Sequence, residues 1–232
     1  MFILGIETST KTGSVAVVSE NAVIAEYILN IEVTHSERLM STVDRVLKDT
    51  GLVMSDMDGF GVAIGPGSFT GLRIGLSTVK GLSFVTEKPV AAVPTLRALA
   101  WNIPYSVFPV CPMLDARKHE VYAALYHYDG TTLVQDMPEA TISFSLLAER
   151  ILEKTVFSGE AAHIYRGELE KHFGARALFA PLSASVPSAA SVAEIALNMI
   201  RNGRQVDPDN LTPMYIRRPE AEVAWEKRAK SQ

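Results

Sequence analysis

The sequence predicts an α/β protein of two similar lobes, each a mixed sheet flanked by helices, with the second lobe trimmed. Three observations carry that expectation. Short apolar runs bounded by turn residues recur along the chain, as buried strands require. An order of three strands followed by alternating helices and strands occurs twice. Between the two occurrences "WNIPYS" breaks the pattern, because a residue before proline is biased away from helix.

Taken in order, Phe2 to Ile6 is a short apolar run suited to a central strand. "GSVAVVSE" follows the turn-prone "STKTG", and "AVIAEYILN" comes next, so the three form an antiparallel meander. In "THSERLMSTVDRVLKDTG", Thr34 or Ser36 is placed to cap a helix. Its apolar positions Leu39, Met40, Val43, Val46 and Leu47 fall at helical spacing, and Gly51 stops it. "MDGFGVAI" reads as a fourth strand leading through a glycine loop into a helix from Thr70 to Val85. "KPVAAVP" is a fifth strand and "TLRALAWNI" a third helix.

The second half repeats the order. "VFPVCPMLDA", "HEVYAALYHYDG" and "LVQDMPEATI" are strands, "FSLLAERILEK" is helical and "TVFSG" is strand-like. "AAHIYRGELEKHF" reads as a helix, "ARALFA" as a strand, and "SAASVAEIALNMIRNG" as a last helix ending at Gly203. The expected units are residues 1–103, residues 104–216 and a charged tail, 217–232.

Composition bounds the function. At 232 residues the chain buries roughly 70–75% of its extended surface on folding. Apolar residues at 47% and charged residues at 21% are ordinary for a globular protein. A net charge of −4 speaks against a dedicated nucleic-acid surface but leaves room for a local basic patch. The single cysteine, Cys111, lies in an apolar run and reads as a small buried hydrophobe. "MFILGIETST" has no basic leader and turns polar by Glu7, so no signal peptide or membrane span is expected and the cytoplasm is the expected location.

The glycine loop "AIGPGSFTGLRIGLSTVKGL" fits neither standard phosphate template. Gly65 and Gly71 are separated by five residues with Leu72 following, where a P-loop needs four between its glycines and then Gly-Lys. Thr70 occupies the last glycine of the dinucleotide fingerprint. Free N–H groups at the helix start suit an anion, and a sharp glycine turn without a ligand explains the same residues. In the helix that follows, Gly71, Gly75 and Thr78 share one side. Small residues there admit either the protein's own core or a partner helix.

"GIETST" places Glu7, Thr8 and Ser9 at a turn that either wraps phosphate or satisfies its own backbone. "LDARKHEVY" puts Asp115, Arg117, His119 and Glu120 at the matching turn of the second lobe, as an acid or metal site or simply a charged turn. The five histidines form no ligand spacing, and no G-x-S-x-G elbow is present. The tail from Ile216 carries five Lys/Arg and three Glu, fitting an exposed terminus or, less simply, a contact with RNA or a partner.

"ILGIETST", "GPGSFTGLRIG", "LDARKHEVY" and "PMYIRRPEAE" together resemble, in order and spacing, the bacterial TsaB family, also called YeaZ. The match runs from Phe2 to about Glu222. It implies the actin-like, hexokinase-like (ASKHA) fold and a part in making threonylcarbamoyladenosine next to the anticodon of ANN-decoding tRNAs. In that pathway a synthase makes threonylcarbamoyl-adenylate from threonine, bicarbonate and ATP. The transferase TsaD, aided by the ATPase TsaE, moves the group to tRNA. The family's implied role is that of a non-catalytic subunit docking TsaD through its first two helices, with a homodimer through the same surface when alone. No membrane contact, resident cofactor or metal is implied, and tRNA is met indirectly.

Departures from the catalytic relatives support that role. Their H-M-E-G-H metal motif is "PTLRAL" here, with Thr95 and Leu99 where the histidines fall. Their acidic pair after "ETS" is replaced by a segment offering Lys11. The docking surface is expected at His35, Arg38, Leu39, Met40, Val43, Val46 and Leu47 of one helix and Thr70, Gly71, Ile74, Gly75 and Thr78 of the next. Weak nucleotide or anion contacts, if the loop makes them, fall on Glu7, Thr8, Ser9, Gly65, Gly67, Ser68, Asp115 and Arg117. The rival readings are an active small ATPase or kinase of the same fold and, more distantly, a metallopeptidase.

Overall fold

The computed structural model describes residues 1–30 and 35–217, with the side chain of His35 also outside the description. Thr34, the tail 218–232 and any contact made by His35 therefore lie outside the described residues. The first half contributes strands β1 (Phe2–Glu7), β2 (Gly13–Ser19), β3 (Val23–Leu29), β4 (Gly59–Gly65) and β5 (Val90–Pro94). Its helices are α1 (His35–Thr50), α2 (Phe69–Thr86) and α3 (Thr95–Trp101). The second half contributes β6 (Val110–Asp115), β7 (Glu120–Asp129), β8 (Thr132–Ser143), β9 (Thr155–Ser158) and β10 (Ala177–Phe179). Helices α4 (Phe144–Arg150), α5 (Glu160–Ile164), α6 (Arg166–Phe173) and α7 (Ala189–Arg201) complete it.

The sheets run β3-β2-β1-β4-β5 and β10-β9-β6-β7-β8. In each, the first three strands in sequence pair antiparallel and the last two add in parallel to the first. The repeat read from sequence is thus a repeat of topology, the two sheets sharing one order of connection.

One face of the first sheet is covered by α1 and α2, whose Leu39, Val43, Val46, Leu47, Leu76 and Val79 bury against Leu4, Ile6, Val15, Val17 and Val62. The other face is covered by α7, whose Ala189, Ala193 and Ala196 lie on Ile3, Ala16, Ala63 and Val93. The approach is close: a Cβ on Gly5 would sit 2.2 Å from the Ala189 carbonyl oxygen. Sequence order had placed this helix with the second lobe, but its contacts are with the first sheet. Helix α3 is shared, since Leu96, Leu99 and Ala100 pack with Val110, Leu114 and Tyr126 of β6 and β7.

Two expected helices are shorter than their periodicity suggests. The "FSLLAERILEK" helix ends at Arg150, because Ile151 turns extended and drops into the second core while its carbonyl accepts from Arg176. "AAHIYRGELEKHF" breaks at Tyr165 (φ −105°, ψ 26°), whose ring packs on Phe144 and whose hydroxyl donates to Asp115.

Candidate functional site

A cleft of about 760 Å³ opens between the lobes. Ser9, Thr10 and Lys11 of the β1–β2 turn, Pro66–Thr70 of the glycine loop and Arg73 line its first-lobe wall. Leu114–Arg117, Tyr122 and Glu160 line the opposite wall, and Met214–Arg217 run along it.

The glycine loop is fastened to its own protein. A Cβ on Gly67 would meet the Ser9 carbonyl oxygen at 2.3 Å, and one on Gly65 would meet the Met214 carbonyl oxygen at 2.7 Å. The Ser68 N–H donates to that Ser9 oxygen at 2.6 Å, and the Gly71 N–H donates to Ser68 Oγ, the cap of α2. Two donors that a phosphate cradle would use are thereby occupied.

Behind the turn, Glu7 is fully buried and accepts from the N–H and the hydroxyl of Ser9. Burial outweighs these hydrogen bonds and pushes its carboxyl up to about 7. Thr8, also buried, donates to the Gly71 carbonyl at 2.8 Å, tying β1 to α2. On the far wall the Asp115 carboxylate accepts from the Arg117 N–H at 2.8 Å and the Tyr165 hydroxyl at 3.0 Å. Glu160 is raised by burial first and by the charge of Asp115 second.

Three consecutive non-glycine residues there, Arg117, Lys118 and His119, have φ of 62°, 54° and 59°. This left-handed turn costs about 1–2 kcal/mol per residue. It is closed by the Glu120 N–H on the Arg117 carbonyl and the Ala116 N–H on the Glu120 carbonyl. Arg217 secures it, donating to the Ala116 carbonyl at 2.7 Å and to the Glu120 carboxylate. The same terminal segment holds the first lobe. The Met214 N–H donates to the Ile64 carbonyl, Tyr215 stacks on Phe69 at 4.9 Å, and Arg73 lies over Phe69 while donating to the Tyr215 hydroxyl.

Of the residues expected as anion contacts, Ser9, Gly67, Ser68, Asp115 and Arg117 reach the cleft, whereas Glu7, Thr8 and Gly65 support it from behind. Phe69, Arg73, Tyr215 and Arg217 are not among the expected contacts; Phe69 and Arg73 lie in "GPGSFTGLRIG" and Tyr215 and Arg217 in "PMYIRR", two family marks whose side chains no local spacing brings together.

The expected docking residues need more correction. Leu39, Val43, Val46 and Leu47 form the protein's own core and offer nothing to a partner. Arg38 is buried, donating to the Lys11 carbonyl. Gly71 and Gly75 are buried, and a Cβ on Gly75 would lie 2.4 Å from Thr8 Oγ1 and 3.6 Å from Ile6 of β1. Met40 and Thr70 are exposed, and Ile74 and Thr78 are half-buried.

Thr95 and Leu99 are both buried, and among the described residues no three His, Cys, Asp or Glu side chains gather as a metal site. No described helix is long and apolar enough to cross a membrane.

Residues 23–225 match the family model described as TsaD, tRNA N6-adenosine threonylcarbamoyltransferase. The Bacillus subtilis tRNA threonylcarbamoyladenosine biosynthesis protein TsaB is 32% identical over 97% of this chain and 98% of its own length. The Escherichia coli protein of the same name is 30% identical over 98% of each. YeaZ from Pseudomonas aeruginosa superposes with a TM-score of 0.78 at 27% identity, over 92% of this chain and 99% of that one. A ROK hexokinase from Thermus thermophilus, at 11% identity and a TM-score of 0.52 over 87% of this chain and all of that one, shares the fold alone. With an ASKHA-like pair of lobes and near full-length identity to these proteins, the chain belongs to the TsaB (YeaZ) family.

Proposed function

We propose that the chain acts in tRNA threonylcarbamoyladenosine biosynthesis as a non-catalytic subunit that docks the transferase TsaD through the outward faces of α1 and α2. One observation carries the reading. Gly81 lies in the interior of α2 with nothing within 4 Å of an added Cβ, so no internal packing explains a residue that costs about 1 kcal/mol there. One turn on, Phe84 and Val85 are 87% and 80% exposed, and Met40 of the neighbouring α1 is 52% exposed. A bare glycine beside exposed apolar side chains suits close approach by another helix. TsaE joins through the resulting complex, and the isolated chain pairs with itself through the same face.

Size-exclusion of the chain with TsaD tests this. Phe84→Glu and Gly81→Trp abolish co-elution while leaving the fold intact; co-elution of both variants with TsaD at wild-type affinity would remove the assignment. The cleft favours a second reading, a small ATPase of the same fold, because Ser9, Lys11, Ser68 and Arg117 line it. Tight ATP–magnesium binding with turnover by the isolated chain would replace the docking role.

A further inference from the structure

We propose that the rim of the interlobe cleft holds an RNA strand, with backbone phosphates on the Arg117–His119 turn and an unpaired base against the Phe69–Tyr215 pair. The polymer's identity rests on the tRNA reading above; the surface is argued from the cleft itself.

In a chain of net charge −4, Lys11, Arg73 and Arg117 line one cleft, with Lys118 beside them. Of the nearby acids, Glu120 is paired with Arg217, and Asp115 and Glu160 are outnumbered by Lys11, Arg73, Arg117 and Lys118. Left-handed backbone at three successive residues holds Arg117, Lys118 and His119 outward, all three exposed. Strain of this kind persists where surrounding contacts over-determine it, and Arg217 supplies those contacts. Beside the cations stand two stacked aromatics and a guanidinium, with Tyr215 still 37% exposed. Cationic side chains next to aromatic faces are what single-stranded nucleic acid uses. The phosphate cradle of a free nucleotide fits less well, since the Ser68 and Gly71 N–H groups are already bonded internally.

The test is fluorescence anisotropy of a labelled tRNA transcript with the full chain bound to TsaD, across a salt series. Replacing Arg117 and Lys118 together by Ala weakens binding and makes the slope of log K against log salt shallower by about 1.4, two single-strand phosphate contacts. Tyr215→Ala weakens binding by about 5- to 100-fold with the slope unchanged, and Tyr215→Phe restores it. Thermal melting checks each fold, and the exposed Lys118→Glu serves alone if the double variant unfolds.

Unchanged affinity and slope in these variants overturn the proposal. So does ATP binding by the isolated chain that is lost in the Arg117/Lys118 variant while tRNA affinity is unaffected. If the wild-type chain fails to bind TsaD, the docking reading falls. The same titration on the isolated chain then decides the RNA contact separately.

Discussion

Two alanine substitutions in one helix should act in opposite directions. At Gly75 a methyl group would lie 2.4 Å from Thr8 Oγ1 and 3.6 Å from Ile6 and Val62. Thr8 is buried and cannot swing to solvent, so it must give up its 2.8 Å bond to the Gly71 carbonyl. Overpacking costs about 1–3 kcal/mol and the lost buried bond a similar amount, against about 1 kcal/mol gained in helix propensity. The net loss is about 3 kcal/mol, lowering Tm by about 6–12 °C for a chain of this size. At Gly81 nothing opposes the methyl, so the propensity gain of about 1 kcal/mol stands and Tm rises by about 2–4 °C. Urea unfolding and calorimetry at concentrations where the chain is monomeric measure both. A stable Gly75→Ala, or a destabilised Gly81→Ala, would refute the division of α2 into an internal and an external glycine.

Other expectations follow from the cleft and the cores. Glu7 is held up to about 7 by burial, above its unfolded value, so the folded state binds the extra proton between these pH values. Stability is full below the unfolded pKa and falls by about 3 kcal/mol as pH rises through about 7. Glu7→Gln should flatten that decline in urea unfolding at pH 5 and pH 8; an equally steep decline would contradict it. Arg217→Ala removes the donors to the Ala116 carbonyl and Glu120, costing about 1–3 kcal/mol. Hydrogen exchange at residues 116–120 should accelerate, and unchanged protection there would show that the turn holds itself. Cys111 is buried and burial pushes its thiol up, so a disulfide reagent should label it only after denaturation. Rapid labelling of the native chain would contradict its place in the core.

Both five-stranded sheets were legible because strand signals are local: apolar runs, turn residues and their order. The failure of the glycine loop to match a phosphate template was legible for the same reason. What sequence could not decide was the address of each apolar face. The stripe Leu39, Val43, Val46, Leu47 has the spacing of a helix with one buried side, and spacing does not say whether its own sheet or another protein covers it. Gly75 and Gly81 look alike in sequence, and only the backbone beside each separates a core contact from open surface. Tyr215 and Arg217 reach the cleft from beyond the last helix, a contact of long sequence separation that no local pattern marks.

The position of α7 also has a consequence in time. A ribosome delivers β1 to β5 first, with α1 and α2 available to cover one side of the sheet. The opposite side has only Ala98 and Trp101 of α3 on it until Ala189–Arg201 has emerged, after the whole second sheet has been made. The first lobe therefore cannot complete itself as an early unit, and a nascent chain stopped near residue 103 exposes Ile3, Ala16, Ala63 and Val93 to whatever chaperone is nearby. Biogenesis of this two-lobed protein ends where it began, on the first sheet.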